Sequence, residues 1–235
     1  MGDTRKEEAE ISFRKKYHKT IFSRFARAIN IYRLVEDGDH IAVCIAQGGD
    51  ELILAKCFQE IKRHRKIDFE VDFFVLDGEN KGEVVQSAEK IGIPVRKISM
   101  QSEIKEAGCN KLAVTDCYED VLETILMGVL YRGEIGTLMP KEKEHDSGEA
   151  EVIRPFYLVH KQDLSEWNME FETVTENTHD LSEQQKETKR LLEEFADINP
   201  GIAANIFKSV ENVNLNTVTA YHTGEGRHSF LEDYK

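Results

Sequence analysis

Residues 41–52 read Ile41-Ala42-Val43-Cys44-Ile45-Ala46-Gln47-Gly48-Gly49-Asp50-Glu51-Leu52. An apolar run without polar alternation predicts a strand buried on both faces. Gly48 and Gly49 then allow a tight turn and a close approach of the backbone to a ligand. From Asp50 onward, Leu52, Ile53, Leu54, Cys57, Phe58 and Ile61 keep helical spacing. Strand, glycine turn and helix start bring free N–H groups to one point, where the helix dipole also favours an anion. Phosphate is the usual ligand of that shape. Plain packing of a strand against a helix uses the same two glycines, so both readings stand at this point.

Working outward, Phe69 to Leu76 predicts a second strand ending at Asp77-Gly78, and residues 80–92 a helix closed by Gly92. Ile93 to Ile98 is a short third strand, residues 101–108 a brief helix, and Lys111 to Thr115 a fourth strand. Asp116 follows, and Tyr118 to Tyr131 reads as a helix. Val152 to Phe156 is a fifth strand and His160 to Trp167 a short helix. Strands alternating with helices predict a parallel sheet with right-handed crossovers, and such sheets bind ligands beyond their strand C-termini. The glycine turn, Asp77 and Asp116 all fall at those ends. Upstream, residues 1–8 read as a charged tail and 9–34 as one amphipathic helix, with Phe13, Tyr17, Ile21, Phe25 and Ile29 on its apolar side. Downstream, residues 141–151 read as a solvated loop and 168–181 show no period. Ser182 to Ala196 is a helix opened by a capping box from Ser182 to Gln185. Ile202 to Val213 is the last helix, and 221–235 an irregular tail. The expected organisation is a basic helical segment 1–34, an α/β domain 35–160 and a helical extension 161–235.

The 235 residues are 40% hydrophobic, enough for a core and against global disorder. No apolar run approaches the roughly twenty residues that span a bilayer. The N-terminus is charged, so neither a secretory signal nor a membrane partner is expected. Cys44, Cys57, Cys109 and Cys117 form no Cys-x-x-Cys pair and read as reduced thiols of a cytoplasmic protein. The net charge is −13, yet residues 1–33 hold nine Lys/Arg against four acids. Lys62-Arg63-His64-Arg65-Lys66 is a second basic cluster. These are either solvated helix faces or a local phosphate-contacting patch, for which Arg14, Lys15, Arg24 and Arg154 are the candidates.

Seven stretches carry a resemblance: EDGDHIAVCI from Glu36, LILAKCFQEIKRH from Leu52, GCNKLAV from Gly108, EDVLET from Glu119, LMPK from Leu138, VIRPFY from Val152 and NIFKSVENVNLNTV from Asn205. The chain resembles, from about Tyr17 to Tyr234, the bacterial tRNA 2-thiocytidine synthetase group of the PP-loop superfamily, the N-type ATP pyrophosphatases. The resemblance implies an adenine nucleotide α-hydrolase-like fold, a three-layer α/β/α domain on a parallel sheet with an N-terminal helix and a C-terminal helical extension. It also implies ATP or AMP with Mg²⁺ as ligand and tRNA as partner. The nucleotide-contacting positions would be Ala46, Gln47, Gly48, Gly49, Asp50, Glu51, Asp77 and Thr115.

The motifs depart from the family. Its loop Ser-Gly-Gly-Lys-Asp-Ser stands here as Ala46 to Glu51, keeping only Gly48 and Asp50. Both hydroxyls and the lysine are lost, and Glu51 brings a negative charge to the anion's place. The family's Gly-His-His-Phe-Asp-Asp stands as Thr115 to Asp120. Asp50, Asp116, Glu119 and Asp120 could hold a divalent ion, or the last two are ordinary helix-start acids. The family's Cys-x-x-Cys segment and later cysteine, which hold an iron–sulfur cluster, have no counterpart, so no cluster is expected. Three functions follow as expectations. The first is a degenerate paralogue acting as a binding or partner subunit, with itself as a homodimer or with an active paralogue. The second is an adenine nucleotide-binding enzyme of altered chemistry. The third is an RNA-binding protein without chemistry.

Overall fold

The computed structural model describes residues 2–76, 81–100, 102–143, 150–173 and 181–232. The chain opens with helices α1 (Gly2–Arg14) and α2 (Ser23–Tyr32), joined by a π-helical turn at His18–Phe22. This replaces the expected tail and single helix. The cause lies in the apolar stripe Ala9, Phe13, Tyr17, Ile21, Phe25 and Ile29, all buried and spaced by four. An α-helix turns once per 3.6 residues, so a stripe of fours drifts by about 40° at each step. A wide turn corrects the drift. Tyr17 accepts bonds from the N–H groups of both Ile21 and Phe22, at 3.0 and 3.1 Å.

The core is a six-stranded sheet in the order β3-β2-β1-β4-β6-β5. Its strands are β1 (His40–Ile45), β2 (Glu70–Leu76), β3 (Val95–Ile98), β4 (Lys111–Ala113), β5 (Lys141–Glu142) and β6 (Glu151–Ile153). All pair in parallel except β5, which runs antiparallel to β6. Central β1 buries Ile41, Ala42, Val43 and Ile45 completely, as its unbroken apolar run requires. The crossovers are α3 (Asp50–Arg63), α4 (Lys81–Lys90), α5 (Ser102–Glu106) and α6 (Tyr118–Met127), with α7 (Lys161–Phe171) after the last strand. Trp167 of α7 is fully buried, stacks on Phe13 and Phe171, and donates its Nε1–H to Ser12 Oγ at 3.0 Å.

Three strand details differ from expectation. β4 stops at Ala113, leaving Thr115 and Asp116 in the turn before α6. β6 ends before Arg154, whose N–H turns to the Pro140 carbonyl at 2.9 Å, and Pro155 has no N–H to continue a ladder. β5 falls inside the stretch read as a solvated loop.

Two compact units emerge, one of residues 1–121 and 138–181, the other of 122–137 and 182–235. This division is drawn differently from the three consecutive segments of the sequence reading, since α1, α2 and α7 go with the sheet. The second unit contains the end of α6, a π-helical turn at Gly128–Arg132, α8 (Glu183–Ile198), α9 (Gly201–Ser209) and a hairpin of β7 (Ala220–Thr223) with β8 (Gly226–Ser229). The capping box is present: Ser182 Oγ accepts from Gln185 N, and Gln185 Oε1 from Ser182 N. The hairpin occupies what read as an irregular tail. No helix among the described residues is long and apolar enough to cross a membrane.

Candidate functional site

The strand order reverses at β1, which has β2 on one side and β4 on the other. Ligands of open α/β sheets bind at such a reversal, beyond the strand C-termini. There β1 runs into Ala46-Gln47-Gly48-Gly49, and α3 begins at Asp50. Gly48 and Gly49 have φ of +86° and +50°. Only glycine adopts the latter with its ψ of −122° without strain, so a lysine at position 49 would not fit this turn.

The anion cradle is already filled. Glu51 Oε2 accepts hydrogen bonds from the N–H groups of Ala46, Gln47 and Gly48, at 2.8, 2.9 and 3.1 Å. The fourth donor of the turn, Gly49 N–H, goes to the Thr173 carbonyl at 2.8 Å. Burial pushes the Glu51 carboxyl above its ordinary range, against the pull of the three N–H groups on the charged form. The loop therefore binds an anion, and the anion is its own side chain. A nucleotide polyphosphate does not fit these donors while Glu51 holds them.

Helix α7 clamps the turn from the other side. Asn168 Nδ2 donates to Asp50 Oδ1 at 2.7 Å, and Lys161 Nζ to Asp50 Oδ2 at 2.5 Å. Thr173 Oγ1 donates to Asn168 Oδ1 at 2.7 Å, so one chain of bonds joins the helix end to the loop. Burial lowers the Lys161 affinity for its proton, but Asp50 outweighs burial and the ammonium is held above its usual range. Sequence reasoning missed Lys161, Asn168 and Thr173. The loss of the loop lysine at Gly49 was a reason to look for another cation, but nothing in the sequence points to which one.

The β4 side of the crevice holds the remaining acids, each with a partner. Asp116 accepts from Arg154 Nε at 2.7 Å, and Arg154 also donates to Glu142 and to the Met139 carbonyl. Glu119 pairs with His160 Nδ1 at 2.8 Å and accepts from Lys161 N–H at 2.7 Å. Burial alone would raise Glu119, but those two contacts hold it below the usual carboxylate range. Asp120 accepts from Cys117 N–H at 2.8 Å, the reach of a helix-start acid back to the cap. Among the described residues, the one group of three or more ligating side chains close enough to share an ion lies elsewhere. Thr115 and Glu51 line a groove of about 1360 Å³ along one face of β1, β4 and β6, with Cys44, Leu112, Val114 and Val152. Asp77 lies outside the described residues.

The four thiols fall at three places. Cys57 is buried on α3, and Cys117 at the α6 start touches Glu119 at 3.6 Å. Cys44 and Cys109 share one apolar cluster. Of the four candidate phosphate contacts, Arg14, Arg24 and Arg154 meet acids. Arg14 bonds Glu60 and Glu10, Arg24 bonds Asp163, and Lys16 bonds Glu170. Lys15 is exposed.

No family model matches the chain. The tRNA-cytidine(32) 2-sulfurtransferase 1 of Francisella philomiragia is 26% identical over 234 residues, covering 84% of this chain and 91% of that protein. The tRNA-cytidine(32) 2-sulfurtransferase of Coxiella burnetii is also 26% identical, over 85% of this chain and 91% of its own. Among solved structures, the U34-tRNA thiolase of Methanococcus maripaludis, with its 4Fe–4S cluster, matches with a TM-score of 0.63 at 13% identity. That match covers 82% of this chain and 78% of the thiolase, and it shows a shared fold.

Proposed function

We propose, from the premise that this chain is related to the tRNA 2-thiocytidine synthetase group of the PP-loop superfamily, that it is a degenerate member serving as a binding or partner subunit without thiolation. The observation that carries this reading is Glu51 on the three loop N–H groups. Hydrogen bonds to a charged group contribute on the order of 1.5–3 kcal/mol each, so a phosphate entering the loop must first displace a side chain held by several kcal/mol. The departures of Ala46, Gln47 and Gly49 from the family loop act in the same direction. The scattered cysteines support the absence of an iron–sulfur cluster, and with it of sulfur transfer by the family's route. The retained fold suits a partner role, with tRNA or an active paralogue as the class of partner.

Calorimetric titration of ATP, with and without Mg²⁺, tests the reading. The protein is expected to give no saturable heat below about 1 mM, whereas Glu51→Ser, with its three N–H groups released, gains measurable binding. Micromolar ATP binding by the unaltered chain would overturn it.

A second reading, an adenine nucleotide-binding enzyme of altered chemistry, is favoured by one observation. Lys161 brings an ammonium to Asp50, beside the turn that lost its own lysine. If a nucleotide enters with Glu51 displaced, Lys161 is a cation already bonded to Asp50 at the start of the helix that follows the loop. Lys161→Ala would then abolish the ATP binding that Glu51→Ser confers.

A further inference from the structure

The opposite, N-terminal edge of the sheet carries a cluster that the nucleotide-loop reading does not use. His40 opens β1, Asp72 is the third residue of β2, and Cys109 stands two positions before β4. Ala42 pairs with Asp72, so His40, two residues from Ala42, shares the Asp72 face of the sheet. His40 Nε2 lies 3.2 Å from Asp72 Oδ2. Cys109 packs with Ala42 and Phe74 on that same face. One donor atom from each of the three residues lies within 4.8 Å of the others.

The arrangement is held by hydrogen bonds of Asn110, through its backbone and its side chain. Asn110 N–H donates to the His40 carbonyl at 2.9 Å, and His40 N–H to Asn110 Oδ1 at 2.7 Å. Asn110 Nδ2 is tied in turn to Asp39 Oδ1 at 2.9 Å. This reciprocal pair fixes the turn carrying Cys109 against the start of β1. Gly108, with φ of +82°, supplies the left-handed residue that lets the chain leave α5 and enter that turn.

We propose that His40, Asp72 and Cys109 form a three-ligand site for a zinc-type transition-metal ion. An imidazole, a thiolate and a carboxylate together select a borderline-soft ion over Mg²⁺ or Ca²⁺, which favour all-oxygen sites. Around a tetrahedral zinc, neighbouring ligand atoms stand about 3.5 Å apart, so side-chain rotation closes the present spacing. Three protein ligands leave a fourth position, and Cys109 also lines the groove along the sheet face. Arg96 is the natural competitor. Its Nη1 donates to Asp72 Oδ2 at 2.8 Å, while the side chain is 60% exposed and lies over the Phe74 ring. Metal and Arg96 draw on the same carboxylate.

The full chain, stripped with a chelator, is titrated with Zn²⁺ against a chromogenic competitor and separately with Co²⁺ by absorbance. One equivalent of either ion is expected, with a thiolate-to-cobalt charge-transfer band. Cys109→Ser should abolish that band, while Cys44→Ser and Cys57→Ser keep it. His40→Ala should weaken Zn²⁺ at least about tenfold, and Arg96→Gln should tighten it several-fold by freeing Asp72. Circular dichroism of each variant shows whether it is folded, and Arg96→Gln reads the site without removing any ligand. A band that survives Cys109→Ser, Zn²⁺ affinity indifferent to His40→Ala and Arg96→Gln, or no stoichiometric binding, would each reduce the cluster to an ordinary ion pair beside a thiol and overturn the proposal. ATP titration plays no part in this test, so it stands or falls apart from the loop.

Discussion

Lys56 shows how one buried ammonium writes itself into the pH dependence of the whole protein. It sits in α3 and donates to Gln59 Oε1 and the Ile91 carbonyl at 2.9 and 3.0 Å. Burial pulls its pKa down to about 8. In the unfolded chain the group keeps its ordinary, higher value, so between the two the unfolded state binds more protons and stability rises with pH. Urea denaturation should show a gain of about 2 kcal/mol between pH 8 and 10 that is missing from Lys56→Met. Equal pH slopes in the two proteins would show that Lys56 stays charged in the fold. Glu51 illustrates what the sequence made legible at this scale. Its charge at a helix start, five residues or fewer from the N–H groups it caps, follows from local geometry alone. The partners of Asp50 do not. Lys161 and Asn168 are 111 and 118 positions away, and only the packing of α7 against α3 brings them there.

Elements were legible in proportion to their length and period. The strand of residues 40–45 carries an unbroken apolar run, helices α3 and α8 carry helical-period patterns, and the capping box of α8 is readable from four residues. Strand β5 has only Lys141 and Glu142, too short for any period, and exists because Arg154 ties that segment through Met139 and Glu142. The hairpin at the end is silent in the sequence because its strands are largely exposed and lack an apolar face, and Gly224-Glu225-Gly226 is its one turn signal. Ser182→Ala should cost about 1 kcal/mol, seen as faster amide exchange over the first turn of α8. The π-helical turn makes a sharper forecast. Deleting exposed Lys19 removes the extra residue that the wide turn absorbs, so the turn should close to regular α-helix with Phe25 and Ile29 still facing the core. The deletion should cost less than about 1 kcal/mol in urea, whereas inserting an alanine after Lys19 rotates α2 by about 100°, takes Phe25 and Ile29 out of the core and should cost about 4 kcal/mol or more. A deletion as damaging as the insertion would show that the wide turn does not absorb a surplus residue.

Across the whole molecule, charge decides what tRNA can find. The basic N-terminal segment looks like a phosphate patch when read alone, but folding brings acids to it from distant parts of the −13 chain. Arg14 meets Glu60, Arg24 meets Asp163, and Arg154 is consumed by Asp116 and Glu142. Of the four candidate RNA contacts, Lys15 alone makes no ion pair among the described residues. Each phosphate neutralised on binding releases counterions, and the logarithm of affinity falls with that of salt by nearly one unit per contact. With Arg14, Arg24 and Arg154 matched internally, the chain should show a slope no steeper than about −2 for tRNA between 50 and 200 mM salt, by fluorescence anisotropy. Asp163→Asn with Glu170→Gln releases Arg24 and Lys16 and should both tighten binding and steepen the slope by one to two units. The unaltered chain showing a slope near −6 would mean that RNA outcompetes these internal partners, and the N-terminal helices would then be an RNA-binding face despite their pairing.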